Sequence, residues 1–177
     1  MSTKDIVYIA LFAAVTAALG LFPPFPLPVT GVPITLQSMG PMLAGLILGA
    51  RRGFLSQVLF LALVAAGLPF LAGGKGGIAV FVGPTAGYLV GWAVSAFVIG
   101  YLGERVNANC SVAKAVAVSV VGGILVLYAC GIPWLCYALK LTPGAAIVSS
   151  LWFIPGDIVK CVVAALLSVS VRRVHKI

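Results

Sequence analysis

Long apolar runs, separated by short polar, glycine-rich or proline-rich segments, follow one another from end to end of the chain. Runs at about 6–22, 36–50, 53–70, 84–103, 112–138 and 144–171 each read as a membrane-spanning helix, since about 20 apolar residues rising 1.5 Å each cross a bilayer core. The pattern predicts an all-α membrane protein, a single domain over 1–177 built as a bundle of six transmembrane helices. The second run contains Pro41 and reads as a short or partly re-entrant span, entered at Thr35 and Gln37. The fifth is long, with an interruption expected at Gly131 and Pro133.

The connections have their own chemistry. Pro23, Pro24, Pro26 and Pro28, with Gly31 and Pro33 beyond, exclude regular helix, because each proline fixes φ and removes a donor. Arg51-Arg52-Gly53 reads as a tight turn. From Leu71 to Gly77, glycines surround Lys75; Gly73 and Gly74 let backbone approach a ligand, or simply make the loop flexible. The segment is not a phosphate loop, which needs GxxxxGK[ST] after a strand. Pro84 suits the first position of the fourth helix, Gly83, Gly87 and Gly91 form a GxxxG series along it, and Thr85 and Tyr88 lie near the glycine loop. Trp134 and Tyr137 read as interfacial anchors or as walls of a pocket. Lys140 to Pro143 turns the chain into the last run.

Composition agrees with the pattern: 62% of residues are hydrophobic and 8% charged, with a mean hydropathy of +1.22, outside the range of soluble domains. The net charge of +8 does not point to nucleic acid, because the basic residues sit in the gaps between apolar runs instead of clustering on a mixed surface. They report topology. With both termini cytoplasmic, Lys4, Arg51, Arg52, Arg105, Lys114, Arg172, Arg173 and Lys176 fall inside, Lys75 and Lys140 outside, and Lys160 within the membrane. Met1-Ser-Thr-Lys4 ahead of an apolar run imitates a secretory leader, but no clean cleavage site follows, so the run is taken as the first span.

Candidate chemistry is sparse. Cys110, Cys130, Cys136 and Cys161 lack CxxC spacing and have only His175 as a possible nitrogen partner, so no metal and no cofactor are expected and the cysteines read as small apolar residues. Asp157 and Lys160 stand one turn apart, behind Pro155-Gly156, in otherwise lipid-compatible sequence. A lone charge at membrane depth costs roughly 2.5–3.5 kcal/mol on insertion scales, so such groups face a bundle interior or a watery cavity. The pair is read as the floor of a binding site; an ion pair that only fixes helix register is the alternative. A membrane enzyme using Asp157 as base and Lys160 as electrophile or nucleophile is disfavoured by a total of three acids and one histidine, with no nucleophile-plus-base motif. A purely structural subunit would have no need of a charge pair beneath a glycine loop. On the first helix, Ala10, Ala14 and Ala18 form a small-residue stripe suited to close approach of another helix, in a partner or in the same chain.

Four segments, Val32-Pro-Ile-Thr-Leu-Gln37, Gly67-Leu-Pro69 with Ala72-Gly-Gly74, Gly83-Pro-Thr-Ala-Gly-Tyr88 and Phe153-Ile-Pro-Gly-Asp-Ile-Val-Lys160, occur in an order and spacing that resembles the BioY family, the biotin-binding S components of energy-coupling factor (ECF) transporters. The resemblance runs over nearly the whole chain. It implies high-affinity capture of biotin from outside a bacterial cytoplasmic membrane and, in many members, association with a transmembrane T subunit and two ATPases. Asp157 and Lys160 match the family's acidic and basic ligand-contacting positions, and the glycine loop looks like the loop over the ligand, whereas Lys75 is outside the common pattern. The alanine stripe resembles the one that meets the coupling subunit. With Thr35, Gln37, Thr85, Tyr88 and Trp134, these residues make the expected site; a solitary facilitator or homo-oligomer is the alternative to a coupled transporter, and no ATP motif is present.

Overall fold

The computed structural model describes residues 1–25, 31–106 and 111–174, without the side chains of Arg173 and Val174. Pro26 and Pro28 of the proline loop, Cys110, His175 and Lys176 lie outside the described residues. The rest is helical apart from short loops and two isolated backbone bridges, Phe25 with Ile34 and Leu71 with Lys75.

Among the described residues, six helical rods form the bundle. The first, α1 (Thr3–Leu19), opens on a capping box: the Ser2 hydroxyl accepts from the Asp5 N–H while the Asp5 carboxylate accepts from the Ser2 N–H. The Ser2 backbone N–H bonded to it holds the Asp5 carboxyl below the usual carboxylate range, and Arg52 pairs with it at 2.9 Å. A 3-10 turn, Leu36–Ser38, leads into α2 (Met39–Leu48), every residue of which from Gly40 onward is buried. A short helix that is apolar all round must be wrapped on every side. Accordingly α2 packs against α1, against α3 (Ala50–Ala65), against α4 (Ala86–Arg105) and against the last rod.

The fifth rod comprises α5 (Val112–Val120), a π-helical stretch (Val121–Val126) and α6 (Leu127–Leu139). The sixth runs from α7 (Pro143–Ser150) through a 3-10 turn at Leu151–Phe153 into α8 (Ile154–Val174). Ala86–Arg105, Val112–Leu139 and Pro143–Arg172 are long and apolar enough to cross a bilayer, at 20, 28 and 30 residues. Leu36–Leu48 is a shorter apolar helix.

Three local expectations are corrected. The chain reverses at Gly49, whose φ of 83° favours glycine, and Arg51 and Arg52 lie in the first turn of α3, with the Ala50 N–H donating to Glu104 Oε1 at 2.8 Å. Pro84 precedes the N-cap Thr85 instead of opening α4, which leaves Gly83 outside the helix; Gly87 and Gly91 face α6, where a Cβ on Gly87 would overlap Trp134. The fifth rod continues through Pro133, and its irregularity is the π-helical stretch, whose Gly122 carbonyl accepts from the Ser95 hydroxyl at 2.8 Å. On α1, Ala10, Ala14 and Ala18 are exposed while Ile9, Ala13 and Thr16 point inward, so the stripe is not packed against another helix among the described residues.

The two ends of the bundle differ. Arg52–Asp5, Ala50–Glu104 and a bond from the Arg172 guanidinium to the Leu46 carbonyl tie together the end that also carries Lys4, Arg51, Arg105 and Lys114. The opposite end carries Lys75, Lys140 and the cavity.

Candidate ligand-binding site

A cavity of about 270 Å³ lies where the Leu36–Ser38 turn, α4, α6 and α8 converge under the 71–83 segment. Its floor is polar. Asp157 and Lys160, 4% and 6% exposed, project from the first turns of α8, where Pro155 needs no N–H partner. Lys160 Nζ donates to Asp157 Oδ1 at 2.8 Å and to Ser38 Oγ at 2.9 Å, and the Tyr128 hydroxyl donates to Asp157 Oδ2 at 2.7 Å. Charge pairing and charge-assisted hydrogen bonds together make a buried carboxylate and ammonium tolerable at this depth.

The walls are largely apolar and aromatic. Leu89, Trp92, Leu127 and Phe153 line them with Tyr88. The Tyr88 ring lies 6.2 Å from Phe153 and, edge on, 6.4 Å from Tyr128. Because the Ser150 hydroxyl donates to the Ala146 carbonyl, the Tyr88 hydroxyl is the donor in its 3.1 Å bond to Ser150. Tyr88 has room for its ring because residue 131 is glycine: a Cβ on Gly131 would overlap it. At the rim, Lys75 is exposed and lines the cavity without a hydrogen bond or ion pair from its side chain among the described residues.

Of the residues expected from sequence, Asp157, Lys160, Lys75, Thr35, Gln37, Thr85 and Tyr88 line the cavity. Gly73, Gly74 and Trp134 do not. Gly73 and Gly74, at φ 79° and 69°, form the exposed tip of the loop. The Trp134 indole N–H donates to the Gly83 carbonyl at 2.9 Å and its ring packs on Tyr137, so it braces the start of α4 from behind. Gln37 lines the wall, but its amide is engaged elsewhere. Its Nε2 donates to the carbonyls of Thr16 (3.1 Å) and Phe70 (2.8 Å), and its Oε1 accepts from the Ala72 N–H at 2.8 Å.

Ser38 and Tyr128 were missed. A tyrosine in the middle of an apolar span is a usable signal, since a buried hydroxyl needs a partner; the serine next to Gln37 carried none. Among the described residues Cys130, Cys136 and Cys161 are free thiols, and no group of three or more metal-ligating side chains comes together.

An all-helical membrane bundle with an aromatic cavity over a neutralised charge pair defines a small-molecule-binding membrane protein. Comparison with known proteins places it more closely. The family model described as "BioY family" matches residues 1–176. A biotin transporter BioY of Rhizobium etli is 52% identical over 172 residues, covering 94% of this chain and 92% of that one. A probable biotin transporter BioY of Bacillus subtilis is 41% identical, covering 96% and 90%. A crystal structure of the S-component for biotin from an ECF-type ABC transporter superposes with a TM-score of 0.92 at 32% identity, covering 98% of this chain and 95% of that one. The chain belongs to the BioY family.

Proposed function

We propose that this protein captures biotin at the outer face of a bacterial cytoplasmic membrane, as the substrate-binding S component of an ECF-type transporter. It is a transport component, with biotin as cargo and no cofactor. The observation that carries the reading is the buried Asp157–Lys160–Tyr128–Ser38 array at the base of an aromatic cavity in a chain of this family.

Biotin presents a ureido group that both donates and accepts, an apolar bicycle and chain, and a carboxylate. Asp157 can accept from ureido N–H groups, while Lys160 or Lys75 meets a carbonyl or carboxylate oxygen. Tyr88, Trp92, Leu127 and Phe153 cover the apolar part. The six rods then cross the bilayer as one domain. Both termini and the basic end face the cytoplasm, where positive charge accumulates, and the cavity opens outward.

Uptake against a gradient needs coupling subunits, because the chain has no ATP-binding motif. The exposed Ala10, Ala14 and Ala18 offer a T subunit, itself driven by two ATPases, a surface that admits close backbone approach. Exposed apolar residues such as Val159 and Leu166 face lipid. The test is competition: unlabelled biotin should displace labelled biotin from the purified protein, and an analogue with both ureido nitrogens methylated should not. Equal displacement by the two would refute the assignment of Asp157 to the ureido group.

A further inference from the structure

Gln37 is 1% exposed, and every polar atom of its amide is bonded to backbone of two other segments. On one side it holds the Thr16 carbonyl of α1; on the other it holds Phe70 and Ala72, the start of the glycine loop that roofs the cavity. The loop closes on itself beyond that point, with the Leu71 N–H bonded to the Lys75 carbonyl at 3.0 Å. Among the described residues, the side-chain hydrogen bonds from the bundle to residues 70–76 come from Gln37, while Leu71 packs in the apolar core and the Gly77 N–H donates to the Val64 carbonyl at 2.8 Å. The joint is also tight, since a Cβ on Gly20 at the end of α1 would sit 2.6 Å from both Gln37 Nε2 and the Phe70 carbonyl oxygen. The next residue in the same 3-10 turn, Ser38, accepts from Lys160 on the cavity floor.

We propose that Gln37 is a positioning residue that latches the roof of the cavity to α1, so that roof opening and the seating of α1 are one event. Its chemistry suits that role. Backbone carbonyls and an amide N–H are always present whatever the loop's side chains, and a neutral amide meets two acceptors and one donor at once, which neither an acid nor an amine can do. When the roof lifts to admit or release a ligand, the Phe70 and Ala72 bonds break and the buried amide is left unmatched, a state that favours reclosure. Closure returns the amide to a geometry that also fixes Thr16, whose helix presents the alanine stripe on its other face. The latch therefore controls escape of ligand more than entry, and it links the state of the roof to the first helix.

The inference rests on the cavity being the biotin site, but its first readout does not. In ligand-free protein, Gln37→Met, which keeps the volume and removes all three bonds, should raise hydrogen exchange at least tenfold at the amides of residues 70–76 and in the last turn of α1. Gln57→Met is the control, because the Gln57 amide joins the same buried cluster through Thr16 Oγ1 (3.1 Å) without a bond to the loop; it should leave 70–76 protected. With biotin, Gln37→Met should speed dissociation at least tenfold and change association less than threefold. Gln37→Glu, which keeps an acceptor for the Ala72 N–H, should fall between parent and Gln37→Met, and it carries the test if the methionine variant does not fold. Unchanged protection of 70–76 in the Gln37 variants, or equal loosening by Gln57→Met, overturns the latch. Parent protein that fails to bind biotin while the exchange result holds would refute the ligand and leave the latch standing.

Discussion

Replacing Asp157 by asparagine removes one charge from an array in which each group leans on the others. The carboxylate accepts from Lys160 at 2.8 Å and from Tyr128 at 2.7 Å and is 4% exposed. Removing one partner of a fully buried pair destabilises by about 3–5 kcal/mol. Two features hold the effect here toward or below the lower limit: asparagine keeps an oxygen for the Tyr128 hydroxyl, and Lys160 keeps Ser38 Oγ at 2.9 Å. The protein should fold with a lowered melting temperature.

Ligand binding should weaken as well. A hydrogen bond to a charged acceptor contributes about 1.5–3 kcal/mol, which at 1.4 kcal/mol per decade corresponds to roughly a 10- to 150-fold rise in Kd. Lys160→Ala should weaken binding to a similar degree while leaving Asp157 with Tyr128. The double variant Asp157→Asn/Lys160→Met, which restores neutrality, should recover melting temperature without recovering affinity. Equilibrium binding of radiolabelled biotin to detergent-purified protein, with thermal unfolding in the same detergent, separates the two effects. Single variants that insert normally and bind as the parent does, or a double variant that regains affinity, would make the pair a structural clasp and refute the site.

Three further outcomes are expected. In a background without native cysteines, cysteines placed at 75 and 140 should react with an impermeant thiol reagent added outside and those at 51 and 174 should not; labelling at 51 from outside would invert the topology. Ala14→Trp should leave biotin binding nearly unchanged while abolishing copurification with a coupling subunit and biotin accumulation in dependent cells, because Ala14 is exposed; loss of binding as well would place the stripe in the folded core, and retention of both activities would leave it facing lipid. Gly131→Ala should cost about 1–3 kcal/mol of stability, the usual range for overpacking, and weaken biotin binding, because its Cβ displaces the Tyr88 ring; affinity equal to the parent's would remove Tyr88 from the ligand wall.

Much of this was legible in the sequence for a physical reason. A bilayer leaves few solutions for the backbone, so apolar runs read directly as helices, and two opposite charges one turn apart within such a run identify themselves as functional or paired. What could not be read depends on the third dimension. Tyr128 and Asp157 are brought together only by packing α6 against the start of α8. Gln37 was legible as a polar residue at the entrance of the second run, but not that its amide would be saturated by backbone from Thr16, Phe70 and Ala72. Proline proved a poor guide within the fifth rod: Pro133 is accommodated in a helix that continues, whereas Gly122-Gly123, a glycine pair among β-branched and aliphatic residues, lies in the π-helical stretch. The reversal at Gly49 was hidden by the adjacent arginines, whose charge suggested the turn that the glycine's backbone makes.

Biotin should bind this chain reversibly in the cavity above Asp157 and Lys160. Titration calorimetry on the purified protein, followed by mass spectrometry of the released ligand, measures both the binding and the fate of the ligand. Saturable binding that approaches one biotin per chain is expected, with recovery of chemically unchanged biotin and a marked loss of affinity in Asp157→Asn. Absence of saturable binding by folded protein, or release of a modified ligand, would contradict reversible binding at this site.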